Sequence, residues 1–262
     1  MSAAFVTGVG AVVSADIAVP QHEREKHFYA RVLSTGENPL WRAEDLMNNL
    51  GIPIVGLGAR DDKLAHLPLQ WMPHIQVADV GASVRRALEL GGSAPMHATD
   101  NEGNSQWAVL VDPQGAAFGI IPVVPAKALP QTSPADAAAM GRIAWLDLTV
   151  PDAASTRDFY REVVGWSVAE VEMKNGNERY ADYNMLHEDG TPAAGVCHAR
   201  GGNAGLPAVW MIYLPVGDLA QSLRRVEAEG GKVIKAMQGA GGEYVYAAIE
   251  DPVGVSLALV PG

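Results

Sequence analysis

Two aspartates stand out as residues that could do chemistry. Asp16 sits in Ser14-Ala15-Asp16-Ile17-Ala18-Val19, and Asp147 sits in Trp145-Leu146-Asp147-Leu148-Thr149-Val150. Both read as mid-strand, and alternation with period two puts Asp147 on one face with Trp145 and Thr149. A carboxylate lodged among apolar neighbours loses hydration, its pKa rises, and it becomes a candidate general base. The same placement suits a plain hydrogen-bond acceptor at a seam between modules, a role that would explain why the residue occurs twice. Aromatic residues form the second set. Trp71 and Trp210 occupy equivalent places, as do His74 and Tyr213, and Trp107 and Tyr246; Trp145, Tyr183 and Tyr244 fall on strands of the second half. Facing a concave sheet, such side chains would make stacking walls for a flat ligand, with hydroxyls to orient it; facing inward, they would be ordinary core.

Other reactive types offer less. The single cysteine, Cys197, has no basic neighbour in sequence and reads as a small buried hydrophobe. The histidines are His22, His27, His66, His74, His97, His187 and His198, and none is spaced with a second His or Cys as a ligand pair on one strand face. Gly8-Val9-Gly10 is too short for a dinucleotide loop, and Ser14 and Ser105 lack a Gly-x-Ser-x-Gly setting.

The chain has 262 residues and a formal net charge of -11. That acidity argues against a nucleic-acid partner, whose binding draws on Lys and Arg. With 48% hydrophobic and 19% charged residues, a substantial core is expected. No run of eighteen apolar residues suggests a membrane span, and Met1-Ser2-Ala3-Ala4-Phe5 lacks the basic and apolar regions of a signal peptide. One cysteine cannot form an internal disulfide, so a cytoplasmic location is expected.

What positions the candidates is an internal duplication. Asp16-Ile17-Ala18-Val19-Pro20 matches Asp147-Leu148-Thr149-Val150-Pro151 at an offset of 131, and so does Phe28-Tyr29 with Phe159-Tyr160. Further on the offset is 139: Gly51 to Gly56 pairs with Gly190 to Gly195, Trp71-Met72 with Trp210-Met211, Gly91-Gly92 with Gly230-Gly231, and Asp112-Pro-Gln-Gly115 with Asp251-Pro-Val-Gly254. The second half therefore carries eight extra residues, around Ala169 to Glu178. Four prolines between Pro122 and Pro134 read as a semi-rigid linker. The expected division is a domain at 5–124, a Pro-rich linker at 125–140 and a domain at 141–262.

Within the second half, Ile143 to Val150 reads as a strand and Pro151-Asp152 opens a helix that Gly165 ends. Strands follow at Arg179 to Leu186, Ala193 to Ala199 and Trp210 to Val216. A helix capped by Asp218 then runs to Gly230-Gly231, with further strands at Val233 to Lys235, Tyr244 to Glu250 and Val255 to Val260. The segment Trp41 to Met47 has good helix propensity by itself, but its repeat partner from Tyr180 reads as strand and turn, so a strand is expected there too. The fold class is α+β, with four βαβββ modules paired into two domains, each a curved eight-strand mixed sheet with helices on the outside.

Paired βαβββ modules with a helix ending in Phe-Tyr, a second helix closing on Gly-Gly, and an Asp-Pro-x-Gly turn before the last strand resemble the vicinal oxygen chelate superfamily. That superfamily includes glyoxalase I, bleomycin-resistance and fosfomycin-resistance proteins and extradiol dioxygenases. The resemblance covers nearly the whole chain and is better in the second half, and two-domain single-chain members are its nearest match. It implies glyoxalase-like domains and, in the metal enzymes of the group, one divalent ion per cup held by His, Glu or Gln. Carried onto this sequence, the ligand positions fall at Ser14, Trp145, Met72, Met211, Gly119 and Ala258. None is a normal hard-cation ligand, so no cofactor is expected and Fe, Zn, Ni or Mn is not.

The resulting expectation is a metal-independent protein that binds a small organic molecule in the concave cup of a domain. The alternative is an enzyme, a lyase, isomerase or dioxygenase-like activity, using an Asp/Tyr acid-base pair from Asp16 or Asp147 or an atypical metal site. Neither a nucleic acid nor a membrane is an expected partner, and the chain would be a monomer or homodimer. The second half, with its additional loop and tyrosines, is where a ligand would first be sought.

Overall fold

The computed structural model describes residues 5–262, so the first four residues of the N-terminal segment lie outside it. The first half contributes β1 (Val12–Val19), α1 (His22–Leu33), β2 (Val55–Ala59), β3 (Met72–Val77), α2 (Val80–Glu89), β4 (Ser93–Thr99), β5 (Ser105–Val111) and β6 (Ala117–Pro122). A short helix, α3 (Pro134–Ala138), lies in the Pro-rich stretch; proline is tolerated at its first turn, and Ser133 and Asp136 form a reciprocal capping box. The second half contributes β7 (Trp145–Val150), α4 (Ala153–Val164), β8 (Ser167–Asn175), β9 (Glu178–Leu186), β10 (Pro192–His198), β11 (Trp210–Val216), α5 (Leu219–Ala228), β12 (Lys232–Gln238), β13 (Tyr244–Glu250) and β14 (Ser256–Pro261). Among the described residues no helix is long and apolar enough to cross a membrane.

Each half builds its own mixed sheet. The first runs β2-β1-β3-β6-β5-β4, and the second β12-β13-β14-β11-β7-β10-β9-β8. Six strands of the second repeat the first in the same order, and β8 and β9 have no counterpart. The first sheet thus has six strands rather than the eight expected. Trp41 to Met47 is not a strand: the chain turns at Ala43 to Asp45, with an isolated bridge between Trp41 and Asn48. The cause is burial. The Trp41 indole is inside the protein and donates to the Pro215 carbonyl at 2.7 Å. Buried Asn48 donates to the Gly141 carbonyl and accepts from the Leu50 and Ile52 amides, all near 3.0 Å. These bonds commit both residues to the other half and to a local turn. The second half has eight more residues at this point, enough to extend the β8–β9 hairpin.

The motifs that mark the repeat lock the halves together. Helix α1 packs on α5 and α2 on α4, so each contact crosses between halves. The α4 N-cap is Asp152, which accepts from the Ser155 amide, and the helix stops at Gly165 with φ 90°. Its inward stripe carries Phe159 and Tyr160 and runs on to Val163 and Val164. Tyr160 donates to Asp112 of the other half at 3.1 Å and accepts from the Trp210 indole at 2.8 Å. Reciprocally, Tyr29 donates to Asp251 at 2.8 Å and accepts from the Trp71 indole at 3.2 Å. The second glycine of each Gly-Gly makes room for the same helices. A Cβ on Gly231 would lie 2.9 Å from the Phe28 ring, and one on Gly92 would lie 3.2 Å from the Phe159 ring. The result is one continuous core cluster drawn from both halves, plus two small apolar clusters on the concave faces.

Candidate functional site in the first cup

On the concave face of the first sheet, alternation brings Ser14 and Asp16 of β1 beside Met72 and His74 of β3. Asp16 pairs with Met72, and His74 pairs with Gly119 of β6. Gly56 of β2 lies opposite Asp16, and a Cβ there would collide with the carboxylate. Gly119 similarly gives the His74 ring its place, since a Cβ would stand 2.7 Å from its Cδ2. Above this floor is a cavity of about 640 Å³, walled by Leu64, Leu67, Met96, Trp107 and Val109. Its size is that of a small-molecule site.

The polar end of the cavity is small and connected. His74 Nδ1 lies 3.0 Å from the Ser14 hydroxyl, and Nε2 lies 3.5 Å from an Asp16 oxygen. Burial lowers the His74 pKa, against an opposing pull from Asp16, which favours the neutral ring. The Asp16 side chain is 58% exposed and stands at the mouth.

The equivalent face of the second half carries larger side chains at two of the three matched places. Trp145 stands for Ser14, Tyr213 for His74 and Tyr246 for Trp107. Asp147 accepts from the Trp145 indole at 2.8 Å and from the Tyr213 hydroxyl at 2.9 Å. The Tyr213 and Tyr246 rings lie 6.2 Å apart. Burial raises the Asp147 pKa, while its two donors pull it down. Burial, then the charge of Asp147, pushes the Tyr213 hydroxyl up. Cys197 is pushed up by burial and by Asp147 and Asp182, the opposite of an activated thiolate. The cavity therefore lies in the half opposite to the one the extra tyrosines suggested. Trp145, Tyr213 and Tyr246 take up space on the second cup, and the smaller Ser14 and His74 leave room in the first.

Of the residues singled out from sequence, the first cup unites Asp16, His74 and Trp107, and the second unites Trp145, Asp147, Tyr213 and Tyr246. Trp71 and Trp210 are fully buried donors to Tyr29 and Tyr160 and belong to the core, not to a ligand wall. Tyr183 is also core, with the Arg157 guanidinium 4.4 Å from its ring centroid, and Tyr244 packs against the same cluster. Sequence reasoning missed Leu64, Leu67 and Met96 as walls. It did single out Ser14, Met72 and Gly119, as places where a ligand atom would be expected and is not found.

The donor set bears on the metal question. Among the described residues no three His, Cys, Asp or Glu side chains are grouped to hold a metal ion. The first cup offers His74 and Asp16, with Ser14, Met72 and Gly119 at the remaining ligand positions. That set does not fit a three-ligand divalent site.

Residues 142–259 match the Glyoxalase/Bleomycin resistance protein/Dioxygenase superfamily, and residues 12–121 match the Glyoxalase-like domain. The chain belongs to this superfamily. It is 31% identical over 133 residues to the anthracycline biosynthesis protein DnrV of Streptomyces peucetius, covering 46% of this chain and 47% of that protein. The match thus spans about half the length of that relative. It is 26% identical over 197 residues to CFP32 of Mycobacterium bovis, covering 74% of this chain and 70% of that one. Among solved structures, 2,2',3-trihydroxybiphenyl 1,2-dioxygenase from Sphingomonas wittichii aligns at a TM-score of 0.52 and 14% identity, over 98% of this chain and 91% of that one. An extradiol ring-cleaving dioxygenase from B. fuscum aligns at 0.56 and 13%, over 100% and 74%. These structural likenesses establish the fold.

Proposed function

We propose that this chain binds a small organic molecule in the cup of its first half, without a metal ion. The observation that carries the reading is the apolar cavity of about 640 Å³ with one polar corner. Three features support it. The ligand-type positions hold Ser14, Met72 and Gly119, the walls suit a flat or compact apolar body, and DnrV is named an anthracycline biosynthesis protein. On this reading the protein acts in the cytoplasm, in keeping with its single free cysteine, as a monomer or homodimer.

Trp107 is 40% exposed and lines the cavity, so it reports on occupancy. Titration with a hydroxyanthraquinone is expected to quench tryptophan fluorescence saturably. Trp107→Ala should weaken binding about tenfold, the worth of one aromatic stacking contact of roughly 1.4 kcal/mol. Equal affinity in the variant, measured by calorimetry, would remove the cup as the site.

His74 favours a second, enzymatic reading. A neutral imidazole, oriented by Ser14 beside a ligand-sized cavity, is a proton acceptor with its own positioning partner. In that case Asp16 and His74, rather than an Asp/Tyr pair, perform the proton transfer of a lyase or isomerase. His74→Gln would then keep ligand affinity within about threefold and lower turnover at least a hundredfold, the usual scale of general-base loss. Turnover unaffected by His74→Gln would remove His74 as the base, and a ligand bound but never turned over leaves sequestration as the function.

A further inference from the structure

The charge pattern of the first cup says which molecules it accepts, an inference that rests on the cup being a binding site. Of the side chains lining the cavity, Asp16 alone bears a formal charge when His74 is neutral. Among the described residues no lysine or arginine lines it. Arg60 is the nearest basic residue in sequence to the lining segment Gly56 to Gly58, and it donates to the backbone carbonyls of Ala18, Ala65 and Leu67. The loop that follows brings Asp61, Asp62 and Lys63, which does not reverse the sign, and the whole chain carries -11. Trp107 adds an aromatic face at the wall, a surface that attracts cations. Asp16 itself is held in place: it lies on a paired strand, opposite a glycine that leaves room for it, and 3.5 Å from His74 Nε2.

We propose that the first cup selects hydrophobic cations, molecules with an apolar or aromatic body and one protonated amine directed at Asp16, and rejects carboxylates of the same shape. The apolar walls supply affinity to any such body. The sign of the charge is decided at the mouth, where an ammonium gains a counter-ion and a carboxylate meets a like charge in a partly desolvated setting. The second cup cannot make this choice, because Asp147 is already paired with Trp145 and Tyr213.

Three probes of one shape separate the possibilities: 2-naphthylmethylamine, 2-naphthylmethanol and 2-naphthoate, titrated calorimetrically into the full chain at pH 7 and low salt. The amine is expected to bind at least tenfold more tightly than the carboxylate, with the alcohol between them. In Asp16→Asn the amine-to-carboxylate ratio should fall at least fivefold. In Glu172→Gln, a surface change on the hairpin of the other half, the ratio should hold. Affinities within threefold of one another for all three probes would overturn the charge selection while leaving the cup as a binding site. A preference that persists in Asp16→Asn would overturn the assignment to Asp16. If none of the probes binds at millimolar concentration, the binding-site reading falls, and the selection with it.

Discussion

Glu25→Gln is expected to raise the melting temperature at pH 8 and to leave it nearly unchanged at pH 4.5. Glu25 lies on the inward face of α1 and is fully buried. No donor reaches either of its oxygens, and the Asp251 carboxylate stands beside it. Burial first, then the charge and hydrogen bond of Asp251, raise its pKa from 4.5 to about 8. The sign follows from linkage. The folded state holds this proton more tightly than the unfolded chain, so below about 4.5 both forms are protonated and nothing is lost. As pH rises toward 8 the unfolded chain releases the proton and the folded one must keep it or bury a charge. At pH 7 that costs on the order of 3 kcal/mol, about 1.4 kcal/mol for each pH unit above 4.5. Gln has the same shape, carries no proton to lose, and can donate its amide to Asp251. For a chain of this size the gain corresponds to roughly 6–10 °C in melting temperature at neutral pH. Calorimetry at pH 4.5, 6, 7 and 8 checks it. Parallel curves for the two proteins across that range would show that Glu25 does not titrate in the folded state. The repeat makes the point sharper: the matching place in the second half is Thr156, which bonds to its own helix at Asp152 and carries no charge.

That contrast also marks what could be read from the sequence. The helix starts at Asp152 and Asp218 and the mixed-sheet class depend on local pattern, and local pattern is what a sequence displays. So does the position of the floor: period two places Ser14 and Asp16 on one face. The part that was not legible depends on distant partners. Nothing near Tyr29 announces that its hydroxyl meets Asp251, so Phe-Tyr and Asp-Pro-x-Gly could be recognised as motifs without disclosing that they bond each other across the halves. Trp71 and Trp210 look like ligand-stacking residues for the same reason. Trp41 and Asn48 leave the strand pattern only because Pro215 and Gly141 are there to receive them. Which cup is open was, by contrast, written in the repeat. Ser14 against Trp145 and His74 against Tyr213 are substitutions of small for large at aligned positions, and comparing side-chain volumes across the offset would have indicated the first half. Counting tyrosines pointed the other way, because an aromatic residue on a concave face fills space as readily as it lines it.

Tyr160→Phe should be the most damaging conservative change in the protein. Its hydroxyl is completely buried at the junction of the halves, giving a proton to Asp112 and receiving one from the Trp210 indole. Removing one oxygen leaves a buried carboxylate short of a donor and a buried indole N–H with no acceptor. Asp112 keeps the Gln114 and Ala116 amides on its other oxygen, so it is not stripped of all support. The cost is on the order of 2–4 kcal/mol, because a bond to a charged group and a neutral one are lost without solvent to replace them. That is roughly 4–12 °C in melting temperature. Burial already raises the Asp112 pKa, and loss of the Tyr160 donor raises it further. The penalty should therefore be largest at neutral pH and shrink below the Asp112 pKa, where the carboxyl is neutral in both proteins. Tyr213→Phe serves as the internal comparison. Its hydroxyl bonds to Asp147 in a partly exposed cup, where water can take over, and it should cost less than half as much. Because the core runs unbroken through both halves, unfolding of Tyr160→Phe should remain a single transition, with faster proteolysis in the Pro-rich stretch between the halves. Two separated transitions would mean that the halves unfold together only through the Tyr160–Asp112 contact, and not through the shared core.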